Sequence, residues 1–182
     1  MNPKIAFLSR TLSILASLFV VLIPVTVSVL WIFGSEETLL SGLPQYWFVP
    51  NGILFQPGTL SESTRIISAG ISLVANLPLL LALWQLRGLL ELYRNLELFR
   101  EEAAPRMKKF AAYIVGFALL QPIAGGFLSI VTSINNAEGH RVLSISIADT
   151  DIATIFLGLT MIVIAYVLED AHRLSEDNKS FV

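Results

Sequence analysis

The chain has 182 residues, 54% of them hydrophobic and 14% charged, with a formal net charge of −2 and a mean hydropathy of +0.71. Soluble domains carry about 25% charged residues, so most of this surface cannot face water, and the balanced charge supplies no basic field for nucleic acid. Cysteine is absent, which removes disulfides, thiol nucleophiles, iron–sulfur clusters and cysteine-based zinc sites together.

Lys4 and Arg10 lead into an uncharged run, Thr11–Phe33, of 23 residues. A secretory h-region has about 7–15 residues and ends at a small-x-small cleavage site. Trp31-Ile32-Phe33-Gly34 offers no such site, so the run reads as a retained first span. Three more uncharged runs follow, Ile66–Leu86, Phe110–Ile134 and Ile152–Leu168. Each can cross roughly 30 Å of hydrocarbon at about 1.5 Å per residue, the last only just. Continuous apolarity, without alternation, makes them helices and not barrel strands. The expectation is an all-α integral membrane protein: a single four-helix domain over 1–182, with spans at about 11–33, 66–86, 110–134 and 152–168.

Between the first two spans, Tyr46-Trp47-Phe48-Val49, Pro50-Asn51-Gly52 and Ile53-Leu54-Phe55 read as two short strands about an Asn-Gly turn, whose central residues tolerate positive φ. Before the fourth span, Leu143, Ile145 and Ile147 alternate with small polar residues, the period of a half-buried strand. Together they predict a small β-hairpin and strand cap on the outer side. The competing reading places Trp47 and its neighbours in the interface as aromatic anchors. Thr59-x-x-Glu62 has the capping-box pattern ahead of the second span, and Asp149 or Asp151 suits the start of the fourth.

Past the second span, Arg87 to Glu102 continues as an amphipathic cytoplasmic helix. Leu89, Leu90, Leu92, Tyr93, Leu96 and Phe99 form its apolar side, and Arg87, Glu91, Arg94, Asn95, Glu101 and Glu102 its polar side. Pro105 is expected to end it, with Arg106, Lys108 and Lys109 meeting an anionic leaflet. The tail from Glu169 is expected to continue the fourth helix by about two turns. Its Asn178-Lys179-Ser180 matches a glycosylation sequon but falls on the cytoplasmic side.

Direction follows from Lys and Arg. Ten of the twelve lie in the N-terminal segment, the 87–109 connection and the tail, while Arg65 and Arg141 alone lie in the other two loops. Both termini are expected in the cytoplasm. No span carries an ionisable side chain, which argues against pumps, proton-coupled transport and ion-selective pores. His140 and His172 fall on opposite sides, and no hydrolase, P-loop or metalloprotease motif is present. Neither an enzyme nor a cofactor is expected.

The polar residues at depth are Asn76 and Gln121, beside Pro78 and Pro122. With Pro24, these prolines release the carbonyls of Val20, Val74 and Ala118, which the two amides can meet across the bundle. Asn76, Pro78, Gln121 and Pro122 therefore form the candidate ligand or packing site: either kinked, close-packed helices or a midplane cavity for a lipid or small apolar ligand. Ser9-Ser13-Ser17, Ser68-Ser72-Asn76 and Gly125-Ser129-Ser133 are ridges that admit close helix approach.

Leu83-Trp84-Gln85-Leu86-Arg87-x-Leu89-Leu90-x-Leu92-Tyr93-Arg94, through Glu97-Leu98-Phe99 to Met107-Lys108-Lys109-Phe110, resembles the inner connection of a bacterial four-helix membrane family, domain of unknown function 2975. The stretch from Leu143-Ser144-Ile145-Ser146 through Asp151 to the Ala171–Val182 tail is similar to that family's ending. Leu96 and Arg100 stand where the family usually has a glycine and a Thr or Ser, which suggests helix here in place of a turn. The resemblance implies a bacterial inner membrane and no established activity. It also implies a cytoplasmic helix-turn-helix regulator as neighbour and partner, with no direct nucleic acid binding by this chain. The expected function is regulatory or scaffolding, with the lipid bilayer as surroundings and Arg87, Arg94, Arg173, Glu176 and Asp177 as the partner surface. The other class is a binder or carrier of an apolar ligand at the midplane.

Overall fold

The computed structural model describes residues 3–41, 49–94 and 103–180, with side chains at all of these except 3–6, 93, 94, 172 and 174–180. Among the described residues the chain forms helices α1 (Pro3–Phe33), α2 (Glu36–Leu40), α3 (Glu62–Arg94), α4 (Ala103–Ser133) and α5 (Asp149–Ser180). Four of them are long and apolar enough to cross a membrane, with candidate spans Phe7–Phe33, Glu62–Leu92, Ala103–Ser133 and Asp149–Ala171.

Burial is the reverse of a soluble bundle. Phe7, Val25, Phe33, Trp84 and Phe156 are exposed, while Ser68, Ser72, Asn76, Ser129 and Thr132 are buried. Hydrocarbon around the helices gives a large apolar side chain nothing to gain by turning inward. Small and polar side chains gain close packing and hydrogen bonds there.

Helix starts are fixed by side chains. Ser35 Oγ accepts the Thr38 amide at 3.1 Å and starts α2. Ser61 Oγ accepts the Thr64 amide at 3.3 Å and starts α3, so the cap is Ser61 and not Thr59. The Thr59 hydroxyl turns instead to the Gln56 carbonyl and Asn136 Oδ1. At α5, Asp151 Oδ2 accepts the Ala148 amide at 2.9 Å, the reciprocal half of a capping box. Pro105 sits in the first turn of α4, where its missing N–H would have had no helical partner anyway, so it opens a helix and does not end one.

The expected β-hairpin and strand cap is overturned: among the described residues there is no β-strand. Residues 46–48 of the hairpin lie outside the described residues. Val49 to Phe55 and Arg141 to Ala148 are non-helical chain without strand pairing. Three of their amides, those of Leu54, Val142 and Ser144, go to hydroxyls of α4 where a strand would have offered carbonyls.

Contacts divide the chain into two compact units. The first comprises 1–20, 78–116 and 153–182. Its core gathers Leu89, Leu92, Ala103, Met107 and Ala165, with Phe110 and Met161 against it. The apolar side of the α3 extension is thus committed to this core at Leu89 and Leu92. Gly158 lets α5 approach α4 closely, since a Cβ there would stand 2.6 Å from Val115 Cγ2.

The second unit comprises 21–77 and 117–152. Here Trp31, at 0% exposure, donates from Nε1 to Ser72 Oγ at 2.9 Å. Arg65 Nη1 donates to the carbonyls of Trp31 at 3.2 Å and Gly34 at 2.7 Å. One guanidinium thereby closes the C-terminal end of α1, whose last carbonyls have no helical donors.

Candidate functional site

The second unit holds a seam of hydroxyl and amide groups along the last turns of α4. Thr132 Oγ1 donates to its own helix at Leu128 O, 2.7 Å, and accepts the Leu54 amide at 3.0 Å. Ser129 Oγ donates to Gly126 O at 2.7 Å and accepts the Ser144 amide at 2.8 Å. Ser133 Oγ donates to Ser129 O at 2.6 Å and accepts the Val142 amide at 3.0 Å. In each case the hydroxyl spends its proton within the helix, which leaves its lone pairs aimed outward at a passing amide. Asn136, just past α4, adds Oδ1 to the Gln56 amide at 2.8 Å and Nδ2 to His140 O at 3.1 Å.

Two adjoining stripes of α4 carry two different segments. Gly125, Thr132 and Asn136 hold residues 51–56, and Gly126, Ser129 and Ser133 hold residues 142–145. Both glycines are required by space. A Cβ on Gly125 would collide with the Asn51 carbonyl oxygen, and one on Gly126 would lie 2.9 Å from Ile145 Cγ1. Gly52 has φ 122° and approaches the Gly125 carbonyl so closely that a Cβ there would strike it. Val49, Pro50 and Phe55 are buried, so the Asn51-Gly52 turn is an inserted plug reaching two turns back along α4.

A groove of about 360 Å³ lies between α3 and α4 in the same unit, lined by Ile67, Ile71, Val74, Leu120, Ile123 and Phe127 with Gly70, Ala75 and Ala124. Every lining side chain is apolar. Asn76, Pro78, Gln121 and Pro122 are not among them. Asn76 is fully buried and its Nδ2 donates to Ser72 O at 2.7 Å, inside its own helix. Gln121 is half-buried; its Nε2 and the Ser68 Oγ are enclosed and, among the described residues, without a hydrogen bond. Pro122 is half-buried in the second unit. Pro78, also half-buried, belongs to the first unit, where Gly116 faces it.

The first unit carries the charges. Lys108 pairs with Glu169 at 2.5 Å and lies 3.9 Å from the Tyr166 ring centroid. Arg87 pairs with Glu91 one turn on at 3.3 Å and lies over Trp84. The Arg106 guanidinium lies on Gly88, leaving no room for a Cβ. Of the expected partner surface, Arg87 and Arg173 are exposed. Arg94 is the last residue of α3, and Glu176 and Asp177 lie within helical α5, with their side chains outside the described ones. Sequence reading missed Arg65, Thr132 and Asn136. Arg65 counted only as a charge, and nothing in a single sequence marks which hydroxyl will meet a loop.

Four long apolar helices with polar groups turned inward define a multi-pass helical membrane protein. The chain belongs to the family described as protein of unknown function (DUF2975), whose profile matches residues 19–182. No curated protein and no solved structure matches the chain.

Proposed function

We propose that this is a non-catalytic protein of a bacterial inner membrane, with both termini in the cytoplasm, that presents the prolonged ends of α3 and α5 to a cytoplasmic partner. The observation that carries this reading is the length of α5, which stays helical from the end of its uncharged run at Leu168 to Ser180. A short isolated polar segment gains little from helicity on its own, and a helical projection is a form that partner proteins commonly grip. The charge distribution, ten of twelve Lys and Arg on the same side as the termini, supports the orientation. The partner that the family resemblance suggests is a helix-turn-helix regulator.

Recovery of partners from native membranes tests this directly. The full chain should retain a specific cytoplasmic protein, and a chain cut after Ala171 should lose it while still inserting. Reversing charge at Arg94 and Arg173 together should have the same effect. Equal recovery by all three would remove docking through this surface. Orientation is read separately: single cysteines at Glu37 and Glu138, both exposed, should react with an impermeant thiol reagent only from outside the cell.

A second reading rests on the α3–α4 groove, whose apolar lining and volume fit a lipid chain or a small apolar ligand. Substituting Gly70 and Ala124 with Phe should then abolish crosslinking to a photoactivatable acyl chain and leave partner recovery unchanged.

A further inference from the structure

The connection between α4 and α5 does not stay at the end of the helices. Val142 is bonded to Ser133, Ser144 to Ser129, and Ile145 packs at Gly126. The chain therefore runs back along α4 by two turns, roughly 10 Å, beside a helix that is itself a candidate span to Ser133. It does so as non-helical backbone. The amides of Val142 and Ser144 face α4, and the next bonded amide is Ala148, held by Asp151. The alternate groups, on Leu143, Ile145 and Ile147, make no hydrogen bond among the described residues, and their side chains are 63%, 64% and 66% exposed. Non-helical backbone at membrane depth is tolerated only when it is buried in protein or wetted.

Two further observations bear on which applies. Arg141, Ser146, Asp149 and Thr150 are all exposed along this segment and its junction with α5, and carboxylates and guanidinium groups are held where water reaches. Independently, the uncharged run of α5, Ile152–Leu168, has 17 residues and measures roughly 25 Å, short of a hydrocarbon core of about 30 Å. A helix that starts late beside a longer neighbour is matched by a bilayer that is thinner on that side.

We infer that the 142–149 side of α4 is a wetted notch, in which water and phospholipid headgroups descend about two turns below the end of α4. The headgroups and their water supply the donors and acceptors that the open edge of 143–147 lacks. The period-two pattern fits such a boundary. Leu143 and Ile145 lie against the Gly126 face of α4, while the peptide edge and the serines meet water and headgroups. This differs from both functional readings above and stands or falls without them.

The absence of native cysteine makes the test clean. In the full chain reconstituted into lipid nanodiscs, nitroxides placed singly at Ile145, Ser146 and Ile147 should collide more with a water-soluble nickel chelate than with oxygen. Nitroxides at Ile123 and Phe127, on the exposed face of α4 at similar height, should show the opposite ratio. The unlabelled chain gives a second readout free of substitutions. Backbone amides of 143, 145 and 147 should exchange hydrogen fully at the earliest time point, and those of 123–131 should stay protected. Oxygen-dominated relaxation at 145–147 would mean direct lipid contact, and protection from both relaxants with slow exchange would mean a covering protein. Either result overturns the notch.

Discussion

Helix α4 belongs to both units, and its two halves bind their surroundings by different means. From Ala103 to Phe110 it contributes Met107 and Phe110 to an apolar core and Lys108 to an exposed ion pair. From Gly125 to Ser133 it contributes glycines, serines and a threonine, and what they hold is not helix but loop backbone. The first half resembles a water-soluble interface. The second is a device for lipid, where apolar surface does not choose partners and every unpaired amide is costly. The difference teaches where specificity resides in this chain: in the short polar side chains of the second unit, more than in its many leucines.

The sharpest way to break that contrast is at the inserted turn. Gly52→Val places a β-branched residue at φ 122° and drives its Cβ into the Gly125 carbonyl. Strain of roughly 1–3 kcal/mol from the backbone and a similar overpacking cost should combine to about 2–6 kcal/mol. Gly58→Ala is the control. Its φ is 81° but nothing lies within 4 Å of a Cβ, so only the backbone penalty, about 1–2 kcal/mol, applies. Reversible unfolding in mixed micelles should rank Gly52→Val well below Gly58→Ala; equal losses would mean the turn is not seated on α4.

Next in size is Arg65→Met, which keeps the length of the side chain and removes the donors to the Trp31 and Gly34 carbonyls. Charged hydrogen bonds contribute roughly 1.5–3 kcal/mol, so the loss should fall in that range, and fraying should appear as faster amide exchange of the 34–40 segment. Thr132→Val and Ser129→Ala follow. Each leaves one amide, of Leu54 or Ser144, without its acceptor, at about 1–3 kcal/mol apiece. Because they serve different segments on adjoining stripes, the double variant should be additive within about 0.5 kcal/mol. Strong coupling would show that the two segments are held as one piece.

How much of this was legible beforehand depends on which physical rule sets each feature. Spans are written in runs of uncharged residues such as Thr11–Phe33, because a bilayer demands length and apolarity from each helix alone. The groove, the Arg65 cap and the serine seam depend on which helix faces which, and the four apolar spans carry little amphipathic signal to reveal it. The period-two stretch Leu143-Ser144-Ile145-Ser146-Ile147 read as a half-buried strand, and it is non-helical chain with its large side chains exposed. It misled about pairing, since alternation says nothing of whether the acceptor is a strand or the hydroxyls of Ser129 and Ser133. The Gly125-Ser129-Ser133 ridge was legible as a place of close approach, but a helix was the expected visitor and a loop is what came. Of the candidate site, Asn76 is buried and Gln121 half-buried, and neither lines the groove. The cavity formed on the other side of α3 and α4, where only apolar residues give its outline.

The smallest expected effect lies in the first unit, and it completes the contrast. Lys108 and Glu169 form the shortest ion pair described there, and Lys108 also caps the Tyr166 ring. By geometry alone it looks like a principal clasp between α4 and α5. Both side chains remain open to surroundings, at 29% and 44% exposure, and an exposed pair gains little over the water or headgroups it displaces. The close approach at Gly158, by contrast, has no substitute, because Val115 and the Ala111 carbonyl already fill the space. Replacing the pair by Lys108→Met with Glu169→Gln should leave the unfolding midpoint unchanged within error and insensitive to salt. Gly158→Leu should lower it clearly. If instead the charge-neutral double variant unfolds as readily as Gly158→Leu, the ion pair is shielded from water in the membrane. The first unit would then depend, like the second, on a few polar contacts that lipid makes strong.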